Sequence, residues 1–234
     1  MGLVRRHTWA QGRARASGGD RAVTEEGHTM ANLLLIHGGL WEEGMDAARF
    51  WRQPGIASGL ERRGFDVFAP DRRYQAPDWT AEASHLAQAI PAAPLTVLAG
   101  SNGCSAAARL AVDFPGSVTR LLLAWPAAAG DTDIDNWERG HLAGLGATPE
   151  VIEALLAGQT LRGLTDAELT SLTLPVGVLR SVPANRFHQW QTADALLRLL
   201  PQVTELPGCP ESPRPEFPSC LEPFLDTVAS FAAA

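Results

Sequence analysis

Residues 95 to 105 read LTVLAGSNGCS, a β-branched apolar run that ends in a small-x-Ser-x-Gly turn and opens onto the alanine-rich stretch AAARLAVDF. An apolar run of this length predicts a buried strand, and the alanines predict a helix packed close against it. Ser101 then falls on the strand-to-helix turn. A hydroxyl lifted above a sheet edge on a strained turn needs small neighbours, and Ala99 and Gly103 supply them, so the turn reads as a nucleophile elbow.

Working outward, LLLIHGGLW at 33 to 41 is a buried-type strand emptying into His-Gly-Gly, and GFDVFAPDRR at 64 to 73 is a second strand ending in Pro-Asp-Arg-Arg. This order resembles the α/β-hydrolase fold family, in which the loop after the first strand supplies an oxyanion donor and the third strand feeds the elbow. The resemblance continues through VTRLLLAWP (118 to 126), LPVGVL (174 to 179), QVTEL (202 to 206) and a terminal LEPFLDTVASF, and covers about residues 31 to 234. It implies a mostly parallel sheet with helices on both faces. Alternation of these runs with helix-like segments at 45 to 63, 80 to 90, 103 to 114, 188 to 200 and 221 to 233 leads to the same α/β architecture. A length of 234 residues suits one such domain, placed here at 30 to 234.

About 45 residues, from Asp131 to Thr173, stand outside the alternation. They are expected to form a helical cap. Thr148 before Pro149 makes a helix start, and Thr165 with Glu168 three positions on makes a capping box. In the family such an insertion covers the nucleophile, which makes Trp137, His141 and Leu142 candidate pocket walls, with cap core as the other reading for Trp137 and Leu142. Gly38, Leu40, Trp41 and Trp125, which border the two loops, are further substrate-binding candidates. Gly39 and Asn102 are the expected oxyanion donors. Asn102 sits at a helix N-terminus, where the dipole favours negative charge.

The resemblance departs from its pattern at the other two catalytic positions. An acid is expected after LPVGVL, where the chain runs Arg180, Ser181, Val182, Pro183, Ala184, Asn185, and a histidine is expected after the last strand, where Glu211 stands. Three readings follow. The roles can be exchanged, with His188 as base and Glu211 or Glu205 orienting it; Glu211 can serve a lyase, isomerase or cyclase as acid or base; or the protein can be a degenerate hydrolase that only binds a ligand. An exposed His188 and a solvated Glu211 are the plainer alternatives. His37 is expected to support its loop, Asp71 to bond local backbone, His85 to have no role, and Cys104 to be an inert buried thiol.

A net charge of −7 carries no footprint for nucleic acid or an anionic membrane, so the expected partner is a small-molecule substrate. Every basic residue is Arg, which excludes a lysine nucleophile or Schiff base. Cys104, Cys209 and Cys220 lack paired spacing, so neither a disulfide framework nor a zinc site is indicated, and no metal or organic cofactor is expected.

Residues 1 to 29 hold five Arg among Gly and Ser, with no apolar stretch of signal-peptide or membrane-span type, and read as a disordered basic extension of a cytoplasmic protein. Met30 directly follows it, so an upstream start codon is one origin and a targeting arm the other. Such a composition buries too little apolar surface to offset its ordering entropy. Deleting residues 1 to 29 should therefore leave the melting temperature unchanged; a loss of several degrees, or precipitation, would mean that the arm docks.

Overall fold

A computed structural model describes residues 31–90 and 95–234, and the basic extension lies outside them. Six strands form one sheet: β1 (Ala31–Ile36), β2 (Phe65–Phe68), β3 (Leu95–Gly100), β4 (Val118–Ala124), β5 (Val176–Ser181) and β6 (Val203–Cys209). Their order is β2-β1-β3-β4-β5-β6, and every neighbouring pair is parallel. Every residue of β3 is buried, as are the last four of β1 and of β4. This is why those strands are continuous apolar runs rather than alternating ones.

Helices cover both faces. On one side α1 (Ile56–Glu61) and α8 (Leu221–Ala233) pack with Phe50, Trp51, Trp125 and Phe217 against Leu33, Leu35, Leu98 and Leu122. On the other, α2 (Trp79–Ala89), α3 (Gly103–Asp113) and α7 (Trp190–Leu199) enclose Leu34, Val97, Leu121 and Val178. Side chains alternate between these two cores along each strand, as a pleated strand requires.

The chain builds outward from β1 to β2, returns past β1 to lay down β3, and then proceeds in the opposite direction to β6. The loops leaving β1 and β3 therefore diverge, and a crevice opens at the carboxyl ends of these strands. α3 presses into that corner. A Cβ on Gly103 would stand 2.5 Å from the His37 carbonyl oxygen and 2.6 Å from that of Ile36, so the helix can start there only with glycine.

Between β4 and β5 come α4 (Thr132–Gly144), α5 (Pro149–Leu156) and α6 (Asp166–Thr170), the expected helical insertion. Asp131 caps α4 by accepting from the N–H groups of Asp133 and Ile134, both at 3.0 Å, Thr148 caps α5, and Thr165 with Glu168 closes a capping box on α6. Leu142, Ile152, Leu155, Leu161 and Leu169 join the core beneath, which makes Leu142 cap core rather than a pocket wall. Trp79 Nε1 donates to the Leu155 carbonyl at 2.8 Å, and Arg109 on α3 bonds Glu168 at 2.7 Å. The insertion is thus pinned at two points. No helix among the described residues is long and apolar enough to cross a membrane.

Gly103→Ala should force the α3 N-terminus off β1. Overpacking of this kind costs about 1–3 kcal/mol, so a fall in Tm of roughly 5–10 °C is expected by calorimetry or circular dichroism. An unchanged Tm would show that the contact can relax.

Candidate active site

Ser101 follows β3 with φ of 55°, a left-handed conformation that is strained for any residue with a side chain. Its surroundings hold it there. Its N–H donates to the Ala124 carbonyl at 3.0 Å, and its own carbonyl accepts from Cys104 at 3.0 Å to begin α3. Gly38 lies so close that a Cβ on it would come within 2.8 Å of the Ser101 Cβ, and a Cβ on Gly100 would strike the Phe50 ring. The hydroxyl is thus presented on a turn with little freedom to move.

His188 reaches this hydroxyl from the loop between β5 and α7. Asn185 Oδ1 accepts from the N–H groups of Phe187 at 2.9 Å and His188 at 3.1 Å, which curls the loop inward, and Ala128 donates to the Phe187 carbonyl at 2.8 Å. His188 Nε2 then stands 2.9 Å from Ser101 Oγ, and Nδ1 stands 2.7 Å from Glu211 Oε1. An ionised Glu211 can only accept, so Nδ1 carries the proton and Nε2 offers its lone pair to the serine.

Glu211 is 4% exposed, and it is brought here by strand pairing: Ser181 of β5 is partnered with Cys209 of β6, which sets the residues after Cys209 beside the base. Burial works against its charge. Hydrogen bonds from His188 and from Ser181 Oγ at 2.7 Å outweigh it, and the carboxyl is held down at about 2. Asn185 Nδ2 also donates to it, and Arg214 Nε lies 2.9 Å from Oε2. Glu205, the other candidate partner, projects from β6 to Arg180 at 2.6 Å and takes no part. The exchanged triad, Ser101, His188 and Glu211, is therefore the arrangement present, and neither the exposed histidine nor the solvated glutamate holds.

The loop after β1 is braced from behind. His37 Nδ1 donates to the Gly38 carbonyl at 2.8 Å, and its Nε2 accepts the Arg72 N–H at 2.9 Å. Burial and the Arg72 charge lower its pKa, which suits a neutral ring with one donor and one acceptor. Arg72 also donates through Nη1 to the carbonyls of His37 at 3.1 Å and Gly39 at 2.6 Å, while its other nitrogens pair with buried Glu82. Asp71 accepts from the Ala47 N–H at 2.9 Å, a bond to a segment 24 residues away rather than the local one expected within the Asp-Arg-Arg turn. Cys104 is fully buried, and burial pushes its thiol far above the ordinary range.

A cavity of about 410 Å³ opens above Ser101 and His188, a size ordinary for small-molecule sites. Of the residues expected around it, Gly39, Leu40, Asn102, Trp137 and His141 line it. Gly38 and Trp41 do not. They border a separate hollow of about 40 Å³ behind the loop, where Trp41 Nε1 donates to the Ala76 carbonyl at 2.9 Å. Trp125 is not a wall either: it is fully buried, stacks on Phe224 at 5.3 Å, and donates to the Cys209 carbonyl at 3.0 Å. Its φ of 52° turns the ring into the core. The sequence reading missed Glu42, Ala127, Ala128, Ile134, Glu138 and Phe187, which also line the cavity. Only Phe187, beside His188, had a signal in the sequence. No group of three or more His, Cys, Asp or Glu among the described residues is placed to hold a metal ion.

No protein-family model matches this chain, and no curated protein is similar to it in sequence. Solved structures are similar in fold. Rv0554 from Mycobacterium tuberculosis superposes with a TM-score of 0.66 at 15% identity, over 88% of this chain and 90% of that one. The meta-cleavage product hydrolase CumD from Pseudomonas fluorescens IP01 gives 0.62 at 15% identity, over 86% and 90%. The esterase RhEst1 from Rhodococcus sp. ECU1013 gives 0.57 at 17% identity, over 88% and 91%. At such identities the likeness is one of fold, the α/β-hydrolase fold with a helical cap.

Because its folded-state value lies below the ordinary 4.5, Glu211 stabilises the fold fully above pH 4.5 and loses that contribution as pH falls toward 2. Glu168, held at about 2 by the Thr165 backbone and Arg109, titrates over the same window. Stability measured from pH 7 to 2 should therefore drop below pH 4.5, and Glu211→Gln should flatten that drop without abolishing it. An identical profile in the variant would show that Glu211 is not held ionised.

Proposed function

We propose that this α/β-hydrolase-fold protein is a serine hydrolase that cleaves an ester, thioester or lactone of an apolar small molecule. The observation that carries the reading is one imidazole bridging Ser101 Oγ at 2.9 Å and Glu211 at 2.7 Å, with a cavity above the hydroxyl. A triad is defined by these contacts and not by chain order.

In the first half-reaction Ser101 Oγ attacks the carbonyl carbon while His188 Nε2 takes the hydroxyl proton, and Glu211 stabilises the resulting imidazolium. The carbonyl electron pair moves onto oxygen. The donors for that oxyanion are the N–H groups of Gly39 and Asn102, neither of which bonds a protein acceptor among the described residues. With the Gly38 carbonyl turned to His37, the Gly39 N–H points to the opposite side of the same planar peptide. Collapse of the intermediate expels the alkoxide or thiolate, which receives its proton from His188 and leaves an acyl group on Ser101. Water, deprotonated by His188, then attacks the acyl carbon and releases the acid with the serine restored. Leu40, Trp137 and His141 are the proposed substrate contacts in the cavity, and no metal or organic cofactor enters the scheme.

A lyase or cyclase run by Glu211 alone fits less well, since that carboxylate is already engaged by His188, Ser181, Asn185 and Arg214. Ser101→Ala and His188→Ala should each lower kcat on p-nitrophenyl esters by roughly a thousandfold or more, with unchanged melting and no fluorophosphonate labelling for the serine variant. Glu211→Gln should lose roughly a hundred- to ten-thousandfold, and the double variant with His188→Ala should be no worse than His188→Ala alone. Undiminished turnover in Ser101→Ala would exclude covalent catalysis.

A further inference from the structure

Glu138 lies on α4 at 6% exposure and faces the cavity above Ser101. Its carboxyl group forms no hydrogen bond with any described residue, and no cationic side chain among them comes within 4.0 Å. Arg162, the nearest buried guanidinium of the cap, is turned to Asp135 instead, at 2.9 Å. Burial raises the Glu138 pKa, and the charges of Arg162 and His141 oppose that rise. On a side chain otherwise this enclosed, a carboxyl group that meets only the cavity and has no protein donor marks a place where a ligand can supply one.

The rest of the cavity narrows the choice of ligand. Glu42 adds a second carboxylate at its wall, 3.9 Å from the exposed Arg49, and no arginine lines it. The rings of Trp137 and Phe187 already hold the Arg186 guanidinium, 5.8 and 4.9 Å from their centroids, so the unpartnered carboxyl of Glu138 is what favours a cation in the cavity. Resting on the hydrolase reading, we infer that the substrate of this site carries a protonated amino group, and that Glu138 receives it at the cap end of the cavity while the carbonyl sits at Ser101.

The test compares pairs in which an ammonium replaces a methyl group: p-nitrophenyl 3-aminopropanoate against butanoate, and 6-aminohexanoate against heptanoate. Corresponding alkyl butanoates of 6-aminohexan-1-ol and heptan-1-ol place the amine in the alcohol half, and p-nitrophenyl 6-hydroxyhexanoate supplies a neutral donor. In the wild type at least one ammonium member should exceed its methyl and hydroxyl counterparts in kcat/KM by roughly ten- to a hundredfold. That ratio should collapse toward one in both Glu138→Gln and Glu138→Leu. Calorimetric binding of 6-aminohexanamide against heptanamide reads the same preference without turnover, so it separates this inference from the hydrolase reading, which fails instead if no ester is cleaved. Equal binding of the two amides, an equal gain from the hydroxyl, or a preference that survives in the variants would overturn the assignment.

Discussion

The chemistry stands on one close backbone contact: the turn from β3 into α3 is pressed against the end of β1. Carbonyls of Ile36 and His37 occupy the space a side chain would need at Gly103, and Gly38 abuts the nucleophile itself. The left-handed conformation of Ser101 is stored strain, and it persists because these neighbours allow no relaxed alternative. The same contact sets the first loop and the helix N-terminus in one fixed relation. Two N–H donors separated by more than sixty residues of chain thereby become parts of one rigid corner.

Charge reinforces that corner from the far side. Arg72 and Glu82 are both buried, and a buried ion pair seldom adds net stability over an apolar pair of the same size. Here the guanidinium spends its remaining donor on the carbonyls of His37 and Gly39, which orients two peptides of the loop. Geometry is what the pair contributes. Glu211 follows a similar rule on the opposite side of the cavity, where four donors keep a buried carboxylate ionised and leave His188 a single usable tautomer.

How far the sequence could be read depended on whether a feature was local. The elbow, the His-Gly-Gly loop, the succession of strands along the chain and the caps at Thr148 and Thr165 are short patterns with fixed backbone consequences, and each lies where its residues place it. The identity of the acid was not local. Glu205 lies within β6 and Glu211 just beyond its end, and only the pairing of Ser181 with Cys209 puts the second beside the imidazole while the first faces Arg180 outside. Trp125 misled for a similar reason: it borders the site in sequence, yet a left-handed residue after β4 swings its ring into the core. Glu138 and Ile134 of α4 and the alanines at 127 and 128 on the loop after β4 line the cavity through the way α4 packs over the elbow, which no periodicity encodes.

His188 leaves the first strand after the cap, and its neighbour Phe187 meets Trp137 of α4 edge-on with ring centroids 5.1 Å apart. Reshaping the cap wall therefore pushes, through one aromatic contact, on His188. In a layout with the histidine after the last strand, cap and base can diverge independently. Here substrate range and turnover are linked traits, and a lineage that drifts in one must compensate in the other, which confines the variation this protein can explore without losing its rate.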